Sequence, residues 1–194
     1  MDNEHKDHDT GYEGPKSSFV RVSEMNAAFG NPKGDFRKID MRRLNKQMAN
    51  VADELGEYYI AAGADAVLVR AGVTAFKDHI AEALADPDNV PKPRDMRDAI
   101  CDIQVFAMGG QHFMGVDGDA DMAAVVDGVM TRFIKDEADE AATVALHAAK
   151  GVTDVYFEGE YPTKIMKSAK DQPDAPQGKF LKSASYKDTV FPEV

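Results

Sequence analysis

Residues 38–63, KIDMRRLNKQMANVADELGEYYIAAG, carry two stripes at helical spacing. The apolar stripe is Leu44, Met48, Val51, Leu55, Tyr58 and Ala62, in steps of 4, 3, 4, 3 and 4, the period of an amphipathic helix. A polar stripe of Arg43, Gln47, Asn50, Glu54 and Glu57 runs beside it. Residues three or four apart are neighbours on a helix, so Glu54 and Glu57 share a face. Asp53 points away from both stripes and is expected to be solvated. Asp98-Ala99-Ile100-Cys101-Asp102 repeats the pattern further on. Asp98 and Asp102 share a face that flanks a second apolar stripe, Met96, Ala99, Ile103 and Phe106.

Outward from these clusters the chain reads as helix after helix. Phe19–Phe29 is a short first helix, closed by Gly30-Asn31-Pro32. Residues 65–85 are a third, ended by Asp86-Pro87. Pro93 with Asp95 in the first turn opens a fourth, which Gly109-Gly110 either ends or opens to a close neighbour. A fifth fills much of residues 119–149, started by Asp119 or Asp121 and stopped by Gly151. Residues 1–16 lack period and are expected to be a mobile tail. After Gly151 the helical period is lost. Between Lys164 and Lys187 stand six Lys against two Asp, an irregular, Lys-rich extension with room for a short hairpin. No repeat of fixed period appears. The expected organisation is therefore a tail (1–16), an all-α core (17–151) and an extension folded over something negative (152–194).

Composition narrows the function. With 194 residues, 43% hydrophobic, no Trp and plentiful Ala and Met, the chain suits one helical domain. A formal charge of −11 disfavours nucleic acid, because neutralising a phosphate backbone takes a basic surface. The lone Cys101 rules out an intrachain disulfide and fits a reducing compartment. No apolar run is long enough for a membrane span and no signal-peptide core is present. The expectation is a soluble cytoplasmic protein.

Four carboxylates at the border of a core would repel one another unless cations sat among them. Hard oxygen donors suit Mg2+ or Mn2+, and Mg2+ commonly joins protein carboxylates to substrate phosphates. Lys179 and Lys182, with Ser183, Ser185 and Tyr186 nearby, offer charge-assisted hydrogen bonds to a phosphate tail. The run Asp136-Glu137-Ala138-Asp139-Glu140 covers all helical phases and reads as a solvated face. No P-loop or dinucleotide fingerprint occurs.

The order of these blocks resembles the MazG/HisE-like all-α nucleoside triphosphate pyrophosphohydrolases, particularly phage-type members. Ala28-Phe29-Gly30-Asn31-Pro32 precedes a basic helix start, Met41-Arg42-Arg43-Leu44. Asp53-Glu54-Leu55-Gly56-Glu57 resembles the family's EExxE, with Asp at its first place. Asp98-Ala99-Ile100-Cys101-Asp102 resembles the second acidic motif, with Ala99 at the usual Glu place and Asp98 one residue earlier. Gly178-Lys179-Phe180-Leu181-Lys182-Ser183 is similar to phosphate-contacting C-termini of phage members. Arg132 and Lys135 are loose counterparts of the family's segment after the second motif.

The resemblance implies a bundle of about five helices that forms a homodimer or dimer of dimers. It implies Mg2+-dependent cleavage of a (d)NTP between the α- and β-phosphates, with Mn2+ able to substitute; in a phage nucleotide pathway the substrate is either a purine triphosphate (dGTP/GTP) or an unwanted nucleotide of another kind, a choice the sequence leaves open. Glu54, Glu57, Asp98 and Asp102 would be the metal and catalytic carboxylates. Lys179, Lys182, Arg43 and Tyr186 would meet phosphates, and Phe29, Asn31, Gln47 and Asn50 would line the substrate pocket. The alternatives are a hydrolase of another or modified nucleotide, and a non-catalytic, metal-stabilised helical interaction protein.

Overall fold

Asp and Ser residues placed just ahead of apolar periods start most of the helices. In the computed structural model, which describes residues 16–193, Ser17, Asp40, Asp65, Asp117 and Asp136 each accept from a backbone N–H of the following turn. Such a cap satisfies one of the orphan donors at a helix start and contributes about 1 kcal/mol. The helices are α1 (Ser18–Ala28), α2 (Met41–Ala61), α3 (Ala66–Leu84), α4 (Pro93–Met114), α5 (Gly118–Met130) and α6 (Glu137–Ala148). Three short strands follow: β1 (Val155–Glu158), β2 (Ile165–Ser168) and β3 (Phe180–Leu181). The described chain is mostly helical, with a small sheet. The N-terminal tail expected to be mobile lies, apart from Lys16, outside the described residues.

The chain forms two compact units. One comprises the described residues up to Lys33 and from Phe106 onward; the other is Gly34–Val105. Residues 152–193, set apart by composition, share the first unit with α5 and α6.

In that first unit the segment after Gly151 is an ordered antiparallel meander in the order β1-β2-β3, with Phe157 opposite Met166 and Met166 opposite Leu181. Ile134, Val152, Met166, Ala175 and Leu181 form its core, with Val155 and Phe157 against them. Full burial of such side chains contributes about 1.5–3 kcal/mol each. The extension therefore has its own hydrophobic reason to be ordered. Strands this short show too few alternations to be read from sequence.

The expected fifth helix, 119–149, is two helices. Between them Ile134 N–H donates to the Lys164 carbonyl at 2.9 Å and the pair forms a β-bridge. Asp136 is extended (φ −159°, ψ 178°) and caps α6 through Asp139 N. Consecutive Phe133 and Ile134 are both fully buried, which suits extended backbone because neighbouring side chains then point to opposite sides. The start of α5 is capped by Asp117, ahead of the expected Asp119 or Asp121. Gly109-Gly110 does not end α4, which continues to Met114.

In the Gly34–Val105 unit, α2 packs on α3 through Gly56, the one buried residue of α2. A Cβ at Gly56 would lie 2.8 Å from a Val73 methyl and 3.5 Å from a Val69 methyl. The contact face is thus Asp53, Gly56 and Ile60. This corrects the expected core stripe: Leu55 and Tyr58 are 56% and 60% exposed. The smallest residue of the motif sets the packing because it allows the closest helix approach.

Candidate functional site

On α2, Arg43, Gln47, Asn50, Glu54 and Glu57 are all exposed and follow one another up the helix as the spacing predicts. Arg43 pairs with the capping Asp40 at 3.5 Å, so its guanidinium is held at the first turn. The expected solvated Asp53 is instead a partner of Lys77 on α3, whose ammonium reaches both carboxylate oxygens at 2.8 and 2.7 Å. Asp53 lies one turn before Gly56 and so looks toward α3. Beside this ion pair an open groove of about 740 Å3 runs between α2 and α3, with Glu57, Arg70 and Thr74 on its walls.

On α4, Asp98 and Asp102 are also exposed. Asp98 shares a shallow depression with Arg94, Asp95, Arg97 and Cys101. The two carboxylate pairs are not gathered: among the described residues no three Asp, Glu, His or Cys side chains stand close enough to hold one ion. The donor chemistry still suits Mg2+. Glu54, Glu57, Asp98 and Asp102 have no ion pair or hydrogen bond among the described residues, whereas Asp53 in the same motif is neutralised by Lys77. They remain available to a cation.

In the other unit a cationic cluster forms around Tyr186. The Lys182 ammonium stands 3.8 Å from the centre of its ring, and the Arg132 guanidinium carbon 5.6 Å from it. The ring's quadrupole attracts both. Neither cation has an ion pair among the described residues, and Arg132 Nε is buried without a hydrogen-bond partner. An orphaned guanidinium N–H is costly and is relieved by an acceptor.

A network of hydroxyls fixes this cluster. Ser183 donates from N–H to the Arg132 carbonyl (3.1 Å) and from Oγ to the Thr131 carbonyl (2.8 Å). Ala184 N–H donates to Thr143 Oγ1 at 2.8 Å, Ser185 Oγ to Asp139 at 3.0 Å, and Lys187 N–H to Thr131 Oγ1 at 2.9 Å. His147 Nε2 donates to the Lys182 carbonyl at 2.9 Å. Ser183 and Thr143 are therefore buried polar groups with partners, as such groups must be.

The same unit holds an aromatic cluster. Phe29 packs on Phe133 and Phe180 with ring centres 4.6 and 5.4 Å away. Phe133 follows Arg132 in the chain and Phe180 precedes Lys182 by two, and Phe29, Lys182 and Tyr186 of the expected set belong to the same unit. Lys179 differs from Lys182: its ammonium donates to the Asp174 carbonyl at 2.5 Å. Asn31 is exposed beyond the end of α1. The acidic run 136–140 is only partly the solvated face expected of it. Asp136 caps α6, Asp139 accepts from Lys135 N–H and Ser185, and Glu140 accepts from Lys164 and Tyr161. Arg132 was a loose candidate in the sequence because the turn between α5 and α6 has no period to mark it.

No family model, curated protein or solved structure matches this chain.

Proposed function

We propose that this protein is a Mg2+-dependent nucleoside triphosphate pyrophosphohydrolase of the MazG/HisE-like kind, converting a (d)NTP and water to a (d)NMP and pyrophosphate. The observation that carries the reading is the buried Arg132 Nε, which has no hydrogen-bond partner and stands with Lys182 at the Tyr186 ring. A buried guanidinium N–H without an acceptor is costly, and an anion would relieve it. Free carboxylate pairs on α2 and α4 and the order of the sequence motifs support the phosphoanhydride as that anion.

In this reading the pairs Glu54/Glu57 and Asp98/Asp102 would each offer oxygen donors to Mg2+. Bound Mg2+ supplies charge neutralisation at the phosphates and acidifies a water. Lys182 and Arg132, within their own unit, are donors of the kind that meets phosphate oxygens. Pyrophosphate departs with the bridging oxygen, the water oxygen joins the α-phosphorus, and the water's protons pass to solvent. Phe29 and Phe180 offer rings against which a base could stack. Homodimer formation belongs to the same proposal.

The test is pyrophosphate release from a panel of NTPs and dNTPs with Mg2+ or Mn2+. Glu54→Gln or Asp102→Asn should abolish turnover with the helical circular dichroism unchanged. Full activity of both variants in metal-free buffer overturns the proposal. Exposed apolar residues on α3 such as Val67, Leu68 and Phe76 favour a second reading, a helical interaction protein; it predicts no release from any triphosphate.

A further inference from the structure

Asp139, Thr143 and His147 follow one another at intervals of four residues along α6, so they share one face of that helix. Each holds a residue of the segment that follows β3. The Asp139 carboxylate accepts from Ser185 Oγ at 3.0 Å, Thr143 Oγ1 accepts from Ala184 N–H at 2.8 Å, and His147 Nε2 donates to the Lys182 carbonyl at 2.9 Å. The helix thus meets the segment in reverse order, one rung per turn.

The middle rung is the most constrained. Thr143 is fully buried, and its hydroxyl donates to the Asp139 carbonyl at 2.6 Å, the bond to the preceding turn that a helical threonine can make. A hydroxyl carries one proton and two lone pairs. With the proton committed, Thr143 can only accept from the segment, and the Ala184 N–H fills that place. The opposite side of the segment is fastened to the turn that carries Arg132. Ser183 donates from N–H to the Arg132 carbonyl at 3.1 Å and from Oγ to the Thr131 carbonyl at 2.8 Å. The Lys182 carbonyl and the Ala184 N–H therefore point one way and the Ser183 N–H the other, as they do along an extended chain. A slip of one residue would exchange the two sides and take Lys182 and Tyr186 out of step with Arg132.

We propose that Asp139, Thr143 and His147 are positioning residues for an oxyanion site at Arg132 and Lys182, with Thr143 as the middle rung. They act through the segment: its register sets Lys182 and Tyr186 beside Arg132, whose buried Nε lacks an acceptor. That the oxyanion is a phosphate group rests on the pyrophosphohydrolase reading; the ladder itself rests on its hydrogen bonds.

The experiment titrates the full chain with inorganic pyrophosphate in metal-free buffer and reads the dissociation constant and the stoichiometry by calorimetry. Thr143→Val keeps the branched shape and removes the hydroxyl. It should weaken binding about tenfold, the loss of one hydrogen bond passed on to the ligand, at unchanged stoichiometry. Thr143→Ser keeps the hydroxyl and should bind as the wild type does. A merely structural role predicts the opposite split: fewer binding-competent molecules, each with the wild-type dissociation constant. That result overturns the proposal. Should Thr143→Val fail to fold, His147→Leu decides at the half-buried end of the ladder: weaker binding supports the proposal and wild-type affinity overturns it. A wild-type chain that binds no pyrophosphate removes the site, and the proposal with it. The enzymatic reading fails separately. Pyrophosphate binding that needs Thr143, in a protein that hydrolyses no triphosphate, counts against hydrolysis and leaves the ladder intact.

Discussion

Lys164 reaches Glu140 at 2.6 Å, and the Tyr161 hydroxyl donates to the same carboxylate oxygen at 2.7 Å. The Lys164 ammonium, and after it the Tyr161 hydroxyl, hold Glu140 below its ordinary value of 4.5. A carboxyl whose folded pKa is depressed stabilises the fold above its unfolded pKa and loses that contribution as the pH falls through the folded value. Unfolding midpoints should therefore drop on acidification below about pH 4.5, and Glu140→Gln should flatten that limb while lowering stability at neutral pH. Thermal unfolding at stepped pH checks both. The two lysines of the extension separate at the same scale. Lys182 is free of carboxylates and Lys179 is occupied by the Asp174 carbonyl. A charge-assisted hydrogen bond contributes about 1.5–3 kcal/mol, so Lys182→Ala should lower kcat/KM for a triphosphate by about tenfold or more. Lys179→Ala should change it far less. Equal losses in both variants would reject the distinction.

The α2–α3 pair shows what one missing Cβ contributes to an element. Valine at position 56 would push into Val73, whose branched side chain has few rotamers in which to retreat. Gly56→Val should destabilise the protein by about 1–3 kcal/mol, the range for an overpacked contact, while Gly56→Ala sets a helix-propensity gain of about 1 kcal/mol against a smaller clash. Chemical denaturation of the two variants measures the difference. Helix positions were legible wherever a period lasted several turns behind a polar cap, as in α1, α2 and α3. The break between α5 and α6 was not, because Phe133 and Ile134 fit a helical stripe as well as they fit extended chain. The face of α2 was misread for a related reason: hydrophobicity marks Leu55 and Tyr58, but close approach is set by Gly56, which carries no hydropathy signal.

At the scale of the molecule, the Lys-rich extension is part of a folding unit. Ending the chain after Gly151 would remove all three strands and, with them, Val152, Met166, Ala175 and Leu181 from the core. Ile134 would lose that cover, and Phe133 would keep Phe29 but lose Phe180. Such a truncation should lose cooperative unfolding, which calorimetry of the shortened chain checks; unchanged cooperativity would show that the sheet is dispensable. If Glu54, Glu57, Asp98 and Asp102 bind metal only in the native state, millimolar Mg2+ or Mn2+ should raise the melting temperature by mass action. Asp98→Ala with Asp102→Ala should remove the shift. The candidate site was legible as residue types, since carboxylates at helical spacing survive in any arrangement of helices. It was not legible as an arrangement, because the Tyr186 cluster depends on hydroxyl bonds between segments about 40–55 positions apart, such as Ser183 with Thr131 and Ala184 with Thr143. Those bonds have a thermodynamic consequence. A free lysine gives up nearly 2 kcal/mol of rotamer entropy on being immobilised. Folding has already confined Lys182 against the Tyr186 ring and tied its backbone to α6 through His147. An anion arriving there meets donors whose ordering cost has been met in advance, and calorimetry should register that preorganisation as a small entropic penalty on association.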